Sequence, residues 1–222
     1  MKKHKLLIIC IAILLFDLHP TREVQATSEA ALQALDEANS YIPMGLQMID
    51  SAVEVLSRDL SNISPEEKEQ FERIFDPSDS GTIDQEYLNA VLDNFHKIQR
   101  QFEKPLSLKY EESSGMCQGM RLYYTYFFKI YVCPYFNIEN DGERKARDLV
   151  HEIAHIALMS GDRPYYNVKT YSASYNRLTP RGSWATQVPV IGPIFREILR
   201  GDTLYHPDAY AWFAASMYSR QR

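Results

Sequence analysis

The chain has 222 residues, with 24 Lys/Arg against 29 Asp/Glu and a net charge of −5. That acidic balance argues against nucleic acid or anionic lipid as the main partner. At 45% hydrophobic and 12% aromatic residues, the chain has material for one domain with a sizeable core.

Lys2, Lys3, His4 and Lys5 form a basic start, and Leu6 to Phe16 is an almost unbroken apolar run. Val24, Gln25 and Ala26 place small residues where a signal peptidase cuts, so residues 1–26 are expected to be a cleaved signal peptide. The run is short for a membrane span. The expectation is a secreted or periplasmic protein with no stable membrane association after cleavage, and a monomer. Residues 27–222 are expected to be a single domain. The leader takes Cys10 with it, leaving Cys117 and Cys133, an even pair that predicts a disulfide in an oxidising compartment.

From Leu32 to Leu60 apolar residues recur at helical spacing, with Pro43 and Gly45 expected to kink or split the helix. Ser64-Pro65-Glu66-Glu67 is a capping box with proline at the first helical position. Asp76 to Asp84 resembles the start of a calcium loop with Gly81 at position six. Tyr87, however, stands at position twelve, where a bidentate glutamate is needed, so a capped turn is the better reading. A helix from Ile83 to Phe102 follows. Leu106 to Glu111, Met120 to Tyr126 and Lys129 to Cys133 read as strands of a small antiparallel sheet. The aromatic run Tyr123, Tyr124, Tyr126, Phe127, Phe128 and Tyr131 is expected to alternate between core and sheet packing. Asn140 or Asp141 caps the next helix, to about Met159. A stretch rich in Ser, Thr, Asn, Pro and Gly reaches about residue 193, and a last helix begins near Pro207, turning Tyr210, Phe213, Ala214 and Met217 inward. The fold class is α+β with a helical N-terminal half.

His151-Glu152-Ile153-Ala154-His155 carries the chemistry. Residues four apart on a helix point the same way, so both imidazoles reach one zinc ion. Glu152, turned roughly 100° around the axis, is placed to act as general base on a water. Leu149, Val150, Ile153, Ala154 and Ala157 supply the packed side of that helix. Zinc needs a third protein ligand. Leu158 and Gly161 stand where metzincins have glycine and a ligand, and the next glutamate, Glu197, lies in no ligand motif. Asp162, His206 and Asp208 remain.

Gly161-Asp162-Arg163-Pro164-Tyr165-Tyr166 resembles the Gly-Thr-x-Asp-x-x-Tyr-Gly segment of the aspzincins, the deuterolysin and peptidyl-Lys metalloendopeptidase family. His206 to Ala214 is similar to that family's Asn-Ala-Asp-Ser-Tyr-x-x-Phe-Ala segment, and Cys133-Pro134-Tyr135-Phe136 to its Cys-Pro-x-Phe strand end. The threonine and second glycine are absent here, and Tyr166 takes the glycine position. The resemblance implies a zincin-like fold, one zinc ion, a protein or peptide substrate, Asp162 as third ligand and Tyr165 as donor to the oxyanion. Asp208 is left with two functional roles: fixing a ligating histidine through its outer N–H, or serving as the third ligand itself. The function expected is a secreted zinc endopeptidase. Its rivals are an inactive zinc-binding or adhesin-like protein on the same scaffold, and a toxin-like peptidase with one protein target.

Overall fold

The computed structural model describes residues 28–75, 84–112, 115–160 and 204–222. Two helices open it, α1 (Glu29–Ser40) and α2 (Ile42–Leu56), broken at Tyr41 just ahead of Pro43. Gly45 does not cause the break. It lies inside α2, where a Cβ would come within 3.0 Å of the Phe102 ring and 3.4 Å of Val150. Its bare backbone lets α2 close onto the two helices that carry those residues.

A short 3₁₀ turn (Leu60–Asn62) leads to α3 (Pro65–Phe75). The capping box closes in both directions: Ser64 N–H donates to Glu67 Oε2 (2.9 Å) and Glu67 N–H to Ser64 Oγ (3.2 Å). Partial burial pushes the Glu67 carboxyl up, but the Ser64 donors and Arg58 outweigh it and hold its pKa below the usual glutamate value. This cap therefore stabilises the fold above the unfolded-state pKa and is lost as pH falls through the lowered folded value. Helix α4 (Gln85–Phe102) starts two residues later than the hydrophobic pattern suggests, because Asp84 caps it through Oδ1 and Tyr87 N–H (2.7 Å). The rest of the calcium-like segment, 76–83, lies outside the described residues.

Three short strands follow: β1 (Leu108–Tyr110), β2 (Tyr123–Tyr126) and β3 (Lys129–Val132), in the order β1-β3-β2. The sheet is mixed rather than antiparallel. β2 pairs with β3 as an antiparallel hairpin, while β1 runs parallel to β3 on its other side. The chain between β1 and β2 crosses to the far edge before the hairpin begins, and side-chain alternation carries no information about that crossing.

Cys117 and Cys133 form the expected disulfide around the hairpin, with a sequence separation of 16. Closing a loop of that size limits the unfolded chain by about 3 kcal/mol. A Cys117→Ser, Cys133→Ser variant should lose roughly that much stability in urea denaturation, and reductant should have no further effect on it.

A 3₁₀ turn (Pro134–Asn137) precedes α5 (Gly142–Leu158), capped by Asp141 Oδ1 on Arg144 N–H (3.0 Å), and α6 (Pro207–Arg220) ends the fold. Helices α2, α4, α5 and α6 pack on one another, and β2 lies along α5. An aromatic cluster fills the centre: the Phe213 ring lies 5.8 Å from Phe71, 5.7 Å from Phe75 and 5.9 Å from Phe95, and Tyr210 packs 4.9 Å from Phe95. Tyr210, Phe213, Ala214 and Met217 all point inward as the pattern requires. The buried Asn94 amide donates to Tyr210 Oη and to the Leu204 carbonyl, both at 2.9 Å, which uses both of its amide hydrogens inside the core. On the other flank Lys145 is almost fully buried. It pairs with Glu37 of α1 and sits 4.2 Å above the Phe136 ring, pinning α5 to α1. No described helix is long and apolar enough to cross a membrane.

Candidate metal centre

The site is built on α5. Ala146, Leu149, Val150, Ile153 and Ala154 are fully buried and fix the helix against the core. The opposite stripe carries Asp148, His151, Glu152, His155 and Met159 into a cleft of about 890 Å³. β2 forms its other wall. Thr125 Oγ1 donates to the Glu152 backbone carbonyl (3.1 Å) and Arg144 Nη2 to the Met120 carbonyl (3.0 Å). The two links advance together along both chains, so β2 and α5 run in the same direction.

His151 and His155 converge, with their Nε2 atoms 3.0 Å apart. Each ring is held by its other nitrogen. His151 Nδ1 lies 2.6 Å from Asp208 Oδ1, and His155 Nδ1 lies 2.8 Å from the Ser160 carbonyl oxygen. A carboxylate and a carbonyl only accept, so both Nδ1 atoms carry a hydrogen, and Nε2 is the atom of each ring that can serve as a metal donor. Nitrogens bound at 2.0–2.1 Å to one tetrahedral ion stand roughly 3.4 Å apart, close to the spacing found. The two imidazoles fit two of the three protein-donor positions of a zinc ion.

The Ser160 contact depends on how α5 ends. Met159 adopts a left-handed conformation (φ 50°, ψ 39°) that is more usual for glycine, and the turn brings Ser160 back over the helix, its N–H donating to the His155 carbonyl (3.3 Å). A main-chain carbonyl leaves no side-chain signature, so sequence reasoning missed this partner, as it missed the Thr125 clasp.

Asp208 stands in the first turn of α6, beside His151. Among the described residues no third His, Cys, Asp or Glu joins the two histidines in a metal-holding group. Asp208 Oδ1 stands on the outer ring nitrogen of His151, the position that the orienting role, one of the two expected of it, calls for. Asp162 and Tyr165 lie outside the described residues, as do Glu197 and the expected signal peptide, residues 1–26. His206 occupies the cap position of α6 and is buried. Replacing Asp208 with Ala should weaken zinc binding by about 10- to 100-fold. Competition against a chromogenic chelator reads this directly, and unchanged affinity would refute the orienting role.

Glu152 is only 8% exposed, yet it lines the cleft with the histidines. Trp212 of α6 closes one side under the Arg147 guanidinium, 3.9 Å from its ring. Tyr123 lies in the wall of the cleft, and burial, with smaller contributions from Asp148, Tyr41, Glu37 and Glu152, pushes its hydroxyl far above the usual pKa. It stays a neutral phenol at any working pH.

The aromatic run divides in a way the alternation did not foresee. Tyr123 and Tyr124 are buried, and Tyr124 stacks on Tyr131 with centroids 4.8 Å apart. Tyr126, Phe127 and Phe128 are exposed instead. The hairpin turns at Phe127-Phe128, which lifts both rings off the sheet.

No model of a known protein family matches the chain, and no curated protein matches it in sequence.

Proposed function

We propose that the protein is an exported zinc endopeptidase of zincin-like architecture and aspzincin type. The observation that carries this reading is the pair of Nε2 atoms 3.0 Å apart, each on a ring whose Nδ1 is already committed. His151 and His155 would hold the zinc, with Asp162 completing the set by resemblance. When bound, the ion supplies Lewis acidity, making a water acidic near neutral pH and polarising the scissile carbonyl.

The remaining steps belong to the chain. Glu152 takes a proton from the attacking water on its carboxylate and delivers it to the departing amine. Its burial limits competing water around that transfer. Tyr165 would donate its hydroxyl to the oxygen that gains negative charge. Asp208 and the Ser160 carbonyl keep both imidazoles in the tautomer whose Nε2 can act as the metal donor. β2 lines the cleft beside α5, which makes it the strand along which an extended peptide would lie.

Retention of Glu152 favours catalysis over zinc binding alone, since holding the ion does not require it. The test is degradation of casein and of a broad peptide mixture by the purified protein, with zinc quantified and a chelator as control. Chelator-sensitive cleavage with about one zinc per chain supports the proposal. Zinc binding without cleavage of any substrate would favour the inactive binding protein.

A further inference from the structure

The hairpin between β2 and β3 pairs Tyr126 with Lys129, leaving Phe127 and Phe128 as a two-residue turn. Both adopt positive φ, 46° and 60°, the signs of a type I′ turn, where Asn-Gly is the usual occupant. Bulky side chains in that region strain the backbone. Nothing in the core repays this, because Phe127 is 75% exposed and Phe128 62%. Both line the same cleft as His151 and Glu152. Because β2 and α5 run in the same direction, the turn lies toward the C-terminal end of α5, where Met159, 81% exposed, lines the cleft too.

Resting on the proposed peptidase function, we infer that Phe127, Phe128 and Met159 form an apolar subsite for a large hydrophobic side chain of an extended polypeptide substrate. Thr125 lies opposite Glu152, and the turn begins two residues beyond it. At about 3.3 Å per residue, the recognised side chain sits two or three positions from the cleaved bond. A polypeptide is favoured over a lipid surface on two counts. The patch lines the same cleft as β2 and the candidate catalytic groups, and the net charge of −5 does not draw the protein to anionic membranes.

Strain and recognition at the same two residues give the proposal an unusual signature. Phe127→Asn with Phe128→Gly should raise Tm by about 3 °C or more, since the new pair suits the turn. The same double variant should lower, by about tenfold, the ratio of kcat/KM for aromatic-bearing peptides to that for Ser/Gly-bearing ones. Met159→Gly keeps the left-handed cap and removes only the side chain, so it should reduce that ratio in the same direction.

The zinc-loaded protein and both variants are profiled on a proteome-derived peptide library, and co-sedimented with phosphatidylcholine and phosphatidylglycerol vesicles. Enrichment of large apolar residues at the second or third position on one side of the cleavage site, flattened in both variants, supports the subsite. Cleavage with the same preference in all three proteins overturns the subsite alone. Loss of vesicle binding with peptide preference intact also overturns it, in favour of a membrane contact. If the wild-type protein cleaves nothing, the function and the subsite fall together.

Discussion

Glu152→Gln should leave the protein folded and zinc-loaded while reducing peptide cleavage by about 10²- to 10⁴-fold. The substitution keeps the shape of a side chain that is only 8% exposed, so it opens no cavity and adds no bulk. It removes the ability to accept a proton, which is the one property the proposed mechanism needs from this residue. Both histidines keep their partners, Asp208 and the Ser160 carbonyl, because neither contact involves the glutamate side chain. Zinc content and kcat/KM are therefore expected to separate cleanly. Near-wild-type turnover would show that another group accepts the proton. Loss of zinc would show that Glu152 takes part in holding the ion.

Phe213→Ala should cost about 3–5 kcal/mol, the range for deleting a fully buried ring. Total stabilities of single domains run about 5–15 kcal/mol, so this is a large share. Phe213 is inaccessible and touches Phe71 of α3, Phe75 at the end of α3 and Phe95 of α4. The rings around it are held by other helices and can collapse only partly into the space. Urea denaturation with an unchanged slope and a lowered midpoint is the expected result. A loss under about 1 kcal/mol would mean that α6 is not seated on this cluster. Because α6 also carries Asp208, zinc affinity should weaken alongside stability.

Most of the helical scaffold could be read from the residues. Leu149, Val150, Ile153 and Ala154 mark the buried side of α5 at helical spacing, and the two histidines fall on the other side as a direct result. The Ser64–Glu67 box and the inward positions of α6 were equally legible, since each depends on local spacing alone. The direction of β1 was not, because three alternating residues define two faces and say nothing about the partner's polarity. Gly45 looked like a helix breaker, but its role depends on Phe102 and Val150, which are distant in sequence. Phe127 and Phe128 were read as part of an alternation of core and sheet packing, and only the position of the turn puts both outside. At the candidate centre, residue types named the two histidines, the glutamate and Asp208. The Ser160 carbonyl depends on a left-handed Met159 that no propensity would forecast.

The contact between His151 and Asp208 spans 57 residues of sequence and joins α5 to α6. A ribosome delivers these two helices in that order, so a growing chain exposes both histidines well before the carboxylate that steadies one of them. On the proposed reading, a nascent or truncated chain ending short of residue 208 would bind zinc weakly and hydrolyse poorly. Competence would arrive only after α6 has docked into the aromatic core, making completion of the fold a safeguard for the cell that synthesises it.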